Sequence, residues 1–298
     1  MTDEVKGYLA ALISCISVAF GFVGMKVMMD YATALTAQSM FFLMGALLSL
    51  GILFFMRGHV RLQSLKRNWG FYSLVCLLMI YTATTTFLSI DLIGPGPVAF
   101  VNQLGIVFAI LLGTLVFGER FRWVDGLGGL IAVLGAVCMT YAPLESMKAG
   151  VLLVASGALV LSFHNLIIKR HSAEIDKMEL LFVRALTTFL AVALLATATG
   201  EMQRPPLWLI PVGALTSLFG FLAVNFFRYM ALGYIDMGKE SMLRVISPLV
   251  VTVISFVLFH TIPDTAEVYG SVLILLGVSL ILFRPLFQPY AAVSQAGR

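Results

Sequence analysis

Ten apolar stretches, each about as long as a bilayer-crossing helix, follow one another along nearly the whole chain with short polar breaks between them. They fall near 8–29, 34–56, 69–90, 97–117, 124–142, 149–168, 178–199, 207–232, 241–260 and 267–283. Most are 19–23 residues long, which at about 1.5 Å per residue matches a hydrocarbon core roughly 30 Å thick. Lipid offers the backbone no hydrogen-bond partners, so a spanning segment is either a helix or a strand of a closed barrel. Long uniform apolar runs fit helices, because barrel strands are about ten residues and alternate in polarity. The fold class that follows is an all-α integral membrane protein of ten transmembrane helices.

Composition removes the soluble alternative. Apolar residues make up 60% of the chain and charged ones 11%, where a soluble domain carries about 25% charge. A formal charge of +4 suits basic loops on one side of a membrane. No basic face with interleaved aromatics exists, so nucleic acid is not an expected partner. Cys15, Cys76 and Cys138 each sit in an apolar run, without the spacing of a disulfide framework or a zinc site. The first run follows Asp3, Glu4 and Lys6, lacks a clear cleavage signature and precedes many further spans, so no signal peptide is expected.

The breaks carry ordinary boundary residues: Asn68, Pro143, Pro205 with Pro206, and Pro263 with Asp264. The loop RGHVRLQSLKR at 57–67 holds four basic residues and no acid. Placing it in the cytoplasm puts thirteen Lys and Arg on that side against Lys26, Lys148 and Arg204 on the other. The positive-inside rule then places both termini in the cytoplasm.

The chain also resembles itself. GYLAALISCISVAFGFVGMK at 7–26 lies over GVLLVASGALVLSFHNLIIK at 150–169, and the region 107–136 lies over 250–279, at offsets of 142 to 143 residues. Residues 1–143 and 144–284 thus form two five-helix repeats, followed by a short cytoplasmic tail at 285–298. An odd number of spans per repeat inverts the second half across the membrane. That arrangement underlies alternating access, with a site near mid-membrane between the halves.

Arginines inside spans are the first candidates for that site, since a guanidinium in lipid needs a partner or water. Arg244 lies in the ninth span one turn before Pro248, Arg228 one turn from the inner end of the eighth, and Arg184 about two turns into the seventh. Arg244 is a candidate for solute binding or gating, with pairing to Glu240 as the structural account. Arg184 is a gating or snorkelling residue, and Asp91 and Glu240 are acids at span ends. Arginines without equal acid favour an anion or a carboxylate-bearing zwitterion.

Polar residues complete the expected lining. Asn102 and Gln103 interrupt the fourth span, where the repeat sets Asn102 against Arg244, and His164 and Asn165 interrupt the sixth. Tyr81 and Thr85 belong to a hydroxyl-rich stretch of the third, although Thr also bonds its own helix. Helix packing through polar contacts is the bland account of Asn102, Gln103, His164 and Asn165. Gly94-Pro95-Gly96-Pro97 reads as a non-helical turn before the fourth span, and Gly126, Gly128, Gly129, Gly135, Gly270 and Gly277 read as helix-packing residues. No phosphate loop, metalloprotease motif or nucleophile elbow is present, so no enzyme activity, cofactor or metal is expected.

LVFGERF at 115–121 followed by WVDGLGGLIAVLGAVCM, together with YMALGYIDMGKESMLRVISPLVVTVISFVLF at 229–259, is similar to the EamA-type members of the drug/metabolite transporter superfamily. The resemblance covers two EamA repeats at about 8–141 and 150–283. It implies bacterial inner-membrane export or exchange of a small metabolite, such as an amino acid, through a central cavity; a proton, through titration of His164, or a counter-solute is the expected coupling partner. Neutral, cationic or nucleotide-related solutes are the alternative. A monomer or weak homodimer in lipid is expected. Gly105 stands where the second repeat has Ser247-Pro248 nearby, so a reduced kink is expected in the fourth span.

Overall fold

The computed structural model describes residues 3–57, 68–117, 123–140, 145–171, 176–231, 233–235, 243–260 and 262–282. All the regular structure among them is helical. The elements are α1 (Asp3–Met29), α2 (Ala34–Arg57), α3 (Trp69–Ile93), α4 (Pro95–Val101), α5 (Leu104–Phe117), α6 (Trp123–Met139) and α7 (Glu145–His171). The second part continues with α8 (Lys177–Ala198), α9 (Leu209–Ser217), a π-helical segment (Leu218–Ala223), α10 (Val224–Ala231), α11 (Ser247–Phe259) and α12 (Thr265–Leu282).

Eight segments are long and apolar enough to cross a membrane, and α6 and α11 are shorter apolar helices. Together they make about ten crossings. The fourth is α4 with α5, and the eighth is α9, the π segment and α10. Leu77, Leu152 and Leu194 are about two-thirds exposed on the outer surface, where lipid replaces water as solvent. Hydroxyls inside the helices satisfy themselves locally: Ser39 Oγ donates to Leu35 O, Ser49 Oγ to Gly45 O and Thr86 Oγ1 to Thr82 O, each at 2.7 Å.

Small residues set the closest contacts. A Cβ on Gly128 would stand 2.6 Å from the Gly277 carbonyl oxygen, and one on Gly135 would stand 2.6 Å from that of Gly270. Helices α6 and α12 therefore touch backbone to backbone. The same holds between α1 and the π segment, where a Cβ on Gly21 would lie 2.5 Å from the Gly220 Cα. Elsewhere α2 packs on α8 and α3 on α7. Phe41, Phe42 and Phe221 form edge-to-face pairs in the core, and Phe87 joins Phe41.

The fourth and ninth crossings are both broken, and the breaks meet. Around Asn102 and Gln103 the backbone tightens to i→i+3 bonds: Gln103 N–H to Phe100 O, Gly105 N–H to Asn102 O and Ile106 N–H to Gln103 O. In the ninth crossing Ile246 N–H bonds Leu243 O, and Pro248 then occupies the first turn of α11, where its missing N–H is harmless. Gln103 Nε2 donates to the Arg244 carbonyl at 3.1 Å, joining the two interruptions. The reduced kink expected from Gly105 is thus corrected: the fourth crossing is interrupted without proline, because a tertiary bond from Gln103 fixes its turn.

A second correction concerns residues 94–97. Only Gly94, at φ 78°, leaves the helical region, and α4 starts at Pro95 with proline in its first turn. Glycine alone tolerates that left-handed φ at no steric cost.

Candidate functional site

A cavity of about 550 Å³ opens at the end of the bundle opposite the N terminus, within the size range of small-molecule sites. It lies between α11 and α12, with the end of α1 and the Ile93–Pro97 turn at its mouth and Phe100 of α4 below. The Gly94 turn is what places Pro95, Gly96 and Pro97 on its wall. Most of the lining is apolar, from Leu249 and Phe259 on α11 to Val272 and Leu275 on α12.

Its polar groups come from three helices. At the C-terminal end of α1, Lys26 Nζ is paired with Asp30 Oδ1 at 3.0 Å, one turn apart. Thr252 and Ser255 face it from α11, and Glu267 and Ser271 from α12. Thr252 Oγ1 donates to the Pro248 carbonyl at 2.9 Å. Glu267 is half-buried in the first turn of α12, where its carboxylate accepts the backbone N–H of Asp264. This is the reach-back bond of a capping box.

At the opposite end, among the described residues, α1 is packed tightly against α10 and residues 233–235. Ala10 and Ala11 of α1 pack with Ala231 and Ile235, flanked by Tyr8, Phe227 and Leu243. Ser14 Oγ donates to Val224 O at 3.0 Å. A Cβ on Gly7 would lie 2.6 Å from Ile235 Cγ2, so no space remains between these elements. Midway along the bundle, Ala19, Ala99 and Val251 pack together, with Phe22, Val250 and Ile254 against them.

Of the residues singled out from the sequence, the Gly94–Pro97 turn lines this cavity, and none of the solute-binding or gating candidates does. Gln103 and Arg244 meet through the side chain-to-carbonyl bond at the helix breaks, and Asn102 is half-buried beside it. His164 is buried, 3.4 Å through Nδ1 from the Oδ1 of exposed Asn165, and close enough to Arg184 to feel its charge. Arg184 itself is only 6% exposed and places Nη2 3.0 Å from Met79 Sδ, so it lies inside the bundle rather than snorkelling outward. Tyr81 Oη bonds Ser156 Oγ at 3.0 Å, and Thr85 Oγ1 bonds the carbonyls of Tyr81 and Thr82, tying α3 to itself and to α7. Arg228 is half-buried in the last turn of α10, and Asp91 is exposed near the end of α3. Glu240 lies outside the described residues.

Lys26, Asp30 and Glu267 carry the cavity's charge, and by sequence they are ordinary span-end residues. Two local patterns do mark them: Lys26 and Asp30 stand one turn apart, and Asp264-x-x-Glu267 opens a helix. Among the described residues, no three His, Cys, Asp or Glu side chains are grouped to hold a metal.

Comparison with known proteins agrees with this architecture. A solved crystal structure superposes with a TM-score of 0.64 at 19% identity, covering 95% of this chain and 98% of the other. That likeness speaks for the fold. No curated protein matches the sequence. The profile of the EamA-like transporter family matches twice, over residues 5–141 and again over 148–283. Matched across nearly its whole length, the chain belongs to the EamA-like transporter family.

Proposed function

We propose that this protein moves a small metabolite by alternating access, and that the structure is the conformer open at the Lys26 end and sealed at the N-terminal end. Family membership makes it a multi-pass secondary transporter rather than an enzyme, lipid-bound on its outside and carrying a small-molecule solute. The observation that carries the reading is the asymmetry along the bundle. A solute-sized cavity stands at one end, while at the other, among the described residues, α1 and α10 pack together through small apolar residues.

Inverted repeats supply the device, and the packing supports them. At the 142-residue offset Gly128 is equivalent to Gly270 and Gly135 to Gly277, and the contacts run crosswise, Gly128 to Gly277 and Gly135 to Gly270. Such exchange is what a two-fold relation between the halves produces. The helix pairs exchange likewise: α1 packs on the eighth crossing as α7 packs on the third. By the positive-inside rule the termini are cytoplasmic and the cavity faces the far side of a bacterial inner membrane. The joined breaks at Gln103 and Arg244 then serve as the hinge. Arg228 and Arg244 receive solute when the sealed end opens, and His164 with Arg184 lies on the moving α7–α8 side. A proton or a counter-solute drives the cycle of a monomer or weak homodimer.

An amino acid fits the cavity best. Its side chain suits the apolar wall and its carboxylate the Lys26 ammonium. In proteoliposomes, uptake of an amino acid is expected to exceed that of its amide, and Lys26→Gln to reduce that preference about tenfold. That is the order expected when one charge-assisted hydrogen bond is removed from a site of intermediate dielectric. Equal uptake of acid and amide, unchanged by the substitution, rules out this placement of the carboxylate.

A further inference from the structure

We infer that Glu267 makes this cavity select solutes bearing an ammonium group and turn away purely anionic ones, an inference that rests on reading the cavity as the solute site. The charged residues on its described lining are Lys26, Asp30 and Glu267. Lys26 and Asp30, paired at 3.0 Å, sum to no net charge, while the ammonium keeps further donors for a solute carboxylate. What remains is one negative charge, on the wall across from that pair. Among the described residues no lysine or arginine forms a salt bridge with Glu267.

Three features let this single charge govern selection. The carboxylate has about four lone-pair sites and gives one to the Asp264 N–H, so it keeps capacity for a donor from solute. Its surroundings are mainly apolar, from Val268 and Val272 on its own helix to Leu249 opposite, so water screens it less than at an open surface. The nearby polar groups Thr252, Ser255 and Ser271 are hydroxyls and carry no compensating charge. The arginines that favoured an anion lie away from this wall. An amino acid satisfies both sides at once, its ammonium on Glu267 and its carboxylate on Lys26. An organic amine satisfies the first, and a dicarboxylate meets repulsion.

The competing account is that Glu267 only caps α12. A glutamine makes the same reach-back bond without the charge, so Glu267→Gln separates the two. Thr252→Cys places a thiol on the cavity wall. Its reaction rates with a cationic and an anionic methanethiosulfonate reagent, each normalised to a free thiol, read the local potential without requiring transport. Labelling of the unsubstituted protein gives the background from Cys15, Cys76 and Cys138. The cationic reagent is expected to be favoured about tenfold, the order expected for one nearby charge at intermediate dielectric. Glu267→Gln brings the ratio near one and Glu267→Asp retains it. Asp30→Asn releases Lys26 and moves the ratio toward the anionic reagent. A ratio near one before substitution, or one that Glu267→Gln leaves unchanged, overturns the inference. A shifted ratio in protein that moves no amino acid supports it and strikes the amino-acid reading of the cavity instead.

Discussion

Gly277→Val is expected to leave little protein folded in detergent, and Gly277→Ala to lower its thermal midpoint sharply. A Cβ at 277 would stand 2.4 Å from the Gly128 carbonyl oxygen and 2.6 Å from the Ala132 nitrogen. Both are backbone atoms of α6, so no rotamer change makes room. The whole of α12 must move away from α6, loosening the matching contact between Gly135 and Gly270. Overpacking of a tight contact costs about 1–3 kcal/mol for alanine-sized additions and more for a branched side chain. In lipid this penalty is felt in full, because helix association there depends on close packing rather than on exclusion of water. Coupling is the sharper test. Gly128→Ala and Gly277→Ala act on one contact, so the double substitution is expected to cost clearly less than their sum. Gly21→Ala acts on the separate contact with Gly220, so it adds to Gly277→Ala within about 0.5 kcal/mol. Thermal unfolding monitored by the decay of the monodisperse chromatographic peak gives both results. An unaltered midpoint for Gly277→Ala would exclude backbone contact between these helices.

The glycines of α6 and α12 were legible as packing residues because lipid leaves few other uses for a glycine in an apolar helix. The crossings were legible for the same reason: a 20-residue apolar run has one low-cost conformation in a bilayer. What hydropathy does not encode is facing. Glu267, Ser271 and Leu275 recur at one-turn spacing along α12 and all line the cavity. Yet one polar stripe on an apolar helix looks the same whether it faces a cavity or a neighbour. Lys26 and Glu267 lie at span ends, where charge is expected at an interface, and only the tertiary arrangement turns both toward one space. Arg244 is deep in its span by sequence position. It lies by a break whose freed carbonyl is taken by Gln103, a bond between residues 141 apart that no local pattern announces. The break at Asn102 is hidden in the same way. Proline marks the interruption before α11, but in the fourth crossing a bond from its own Gln103 side chain to a distant backbone carbonyl takes its place.

Locking the sealed end is expected to abolish flux while leaving the cavity accessible. An ideal Cβ on Gly7 stands 3.4 Å from the Ile235 Cβ, at the short edge of the roughly 3.5–4.5 Å spanned by disulfides. The pair Gly7→Cys with Ile235→Cys is therefore placed to crosslink α1 to the segment after α10. If alternating access is the mechanism, this contact must part once per cycle for the solute to leave at the N-terminal end. Oxidation then reduces proteoliposome uptake to the level of empty vesicles, and a reductant restores it. Either substitution alone leaves uptake indifferent to oxidant. Damage to the fold would instead lower uptake before oxidation and would not reverse with reductant. The Thr252→Cys thiol separates a blocked gate from a collapsed site, because it stays reactive from the open end when the far end is locked. Quantitative crosslinking with undiminished uptake would sink the assignment of this end as a gate. Solute would then have to pass without parting α1 from Ile235, and the packed alanines there would be structural alone.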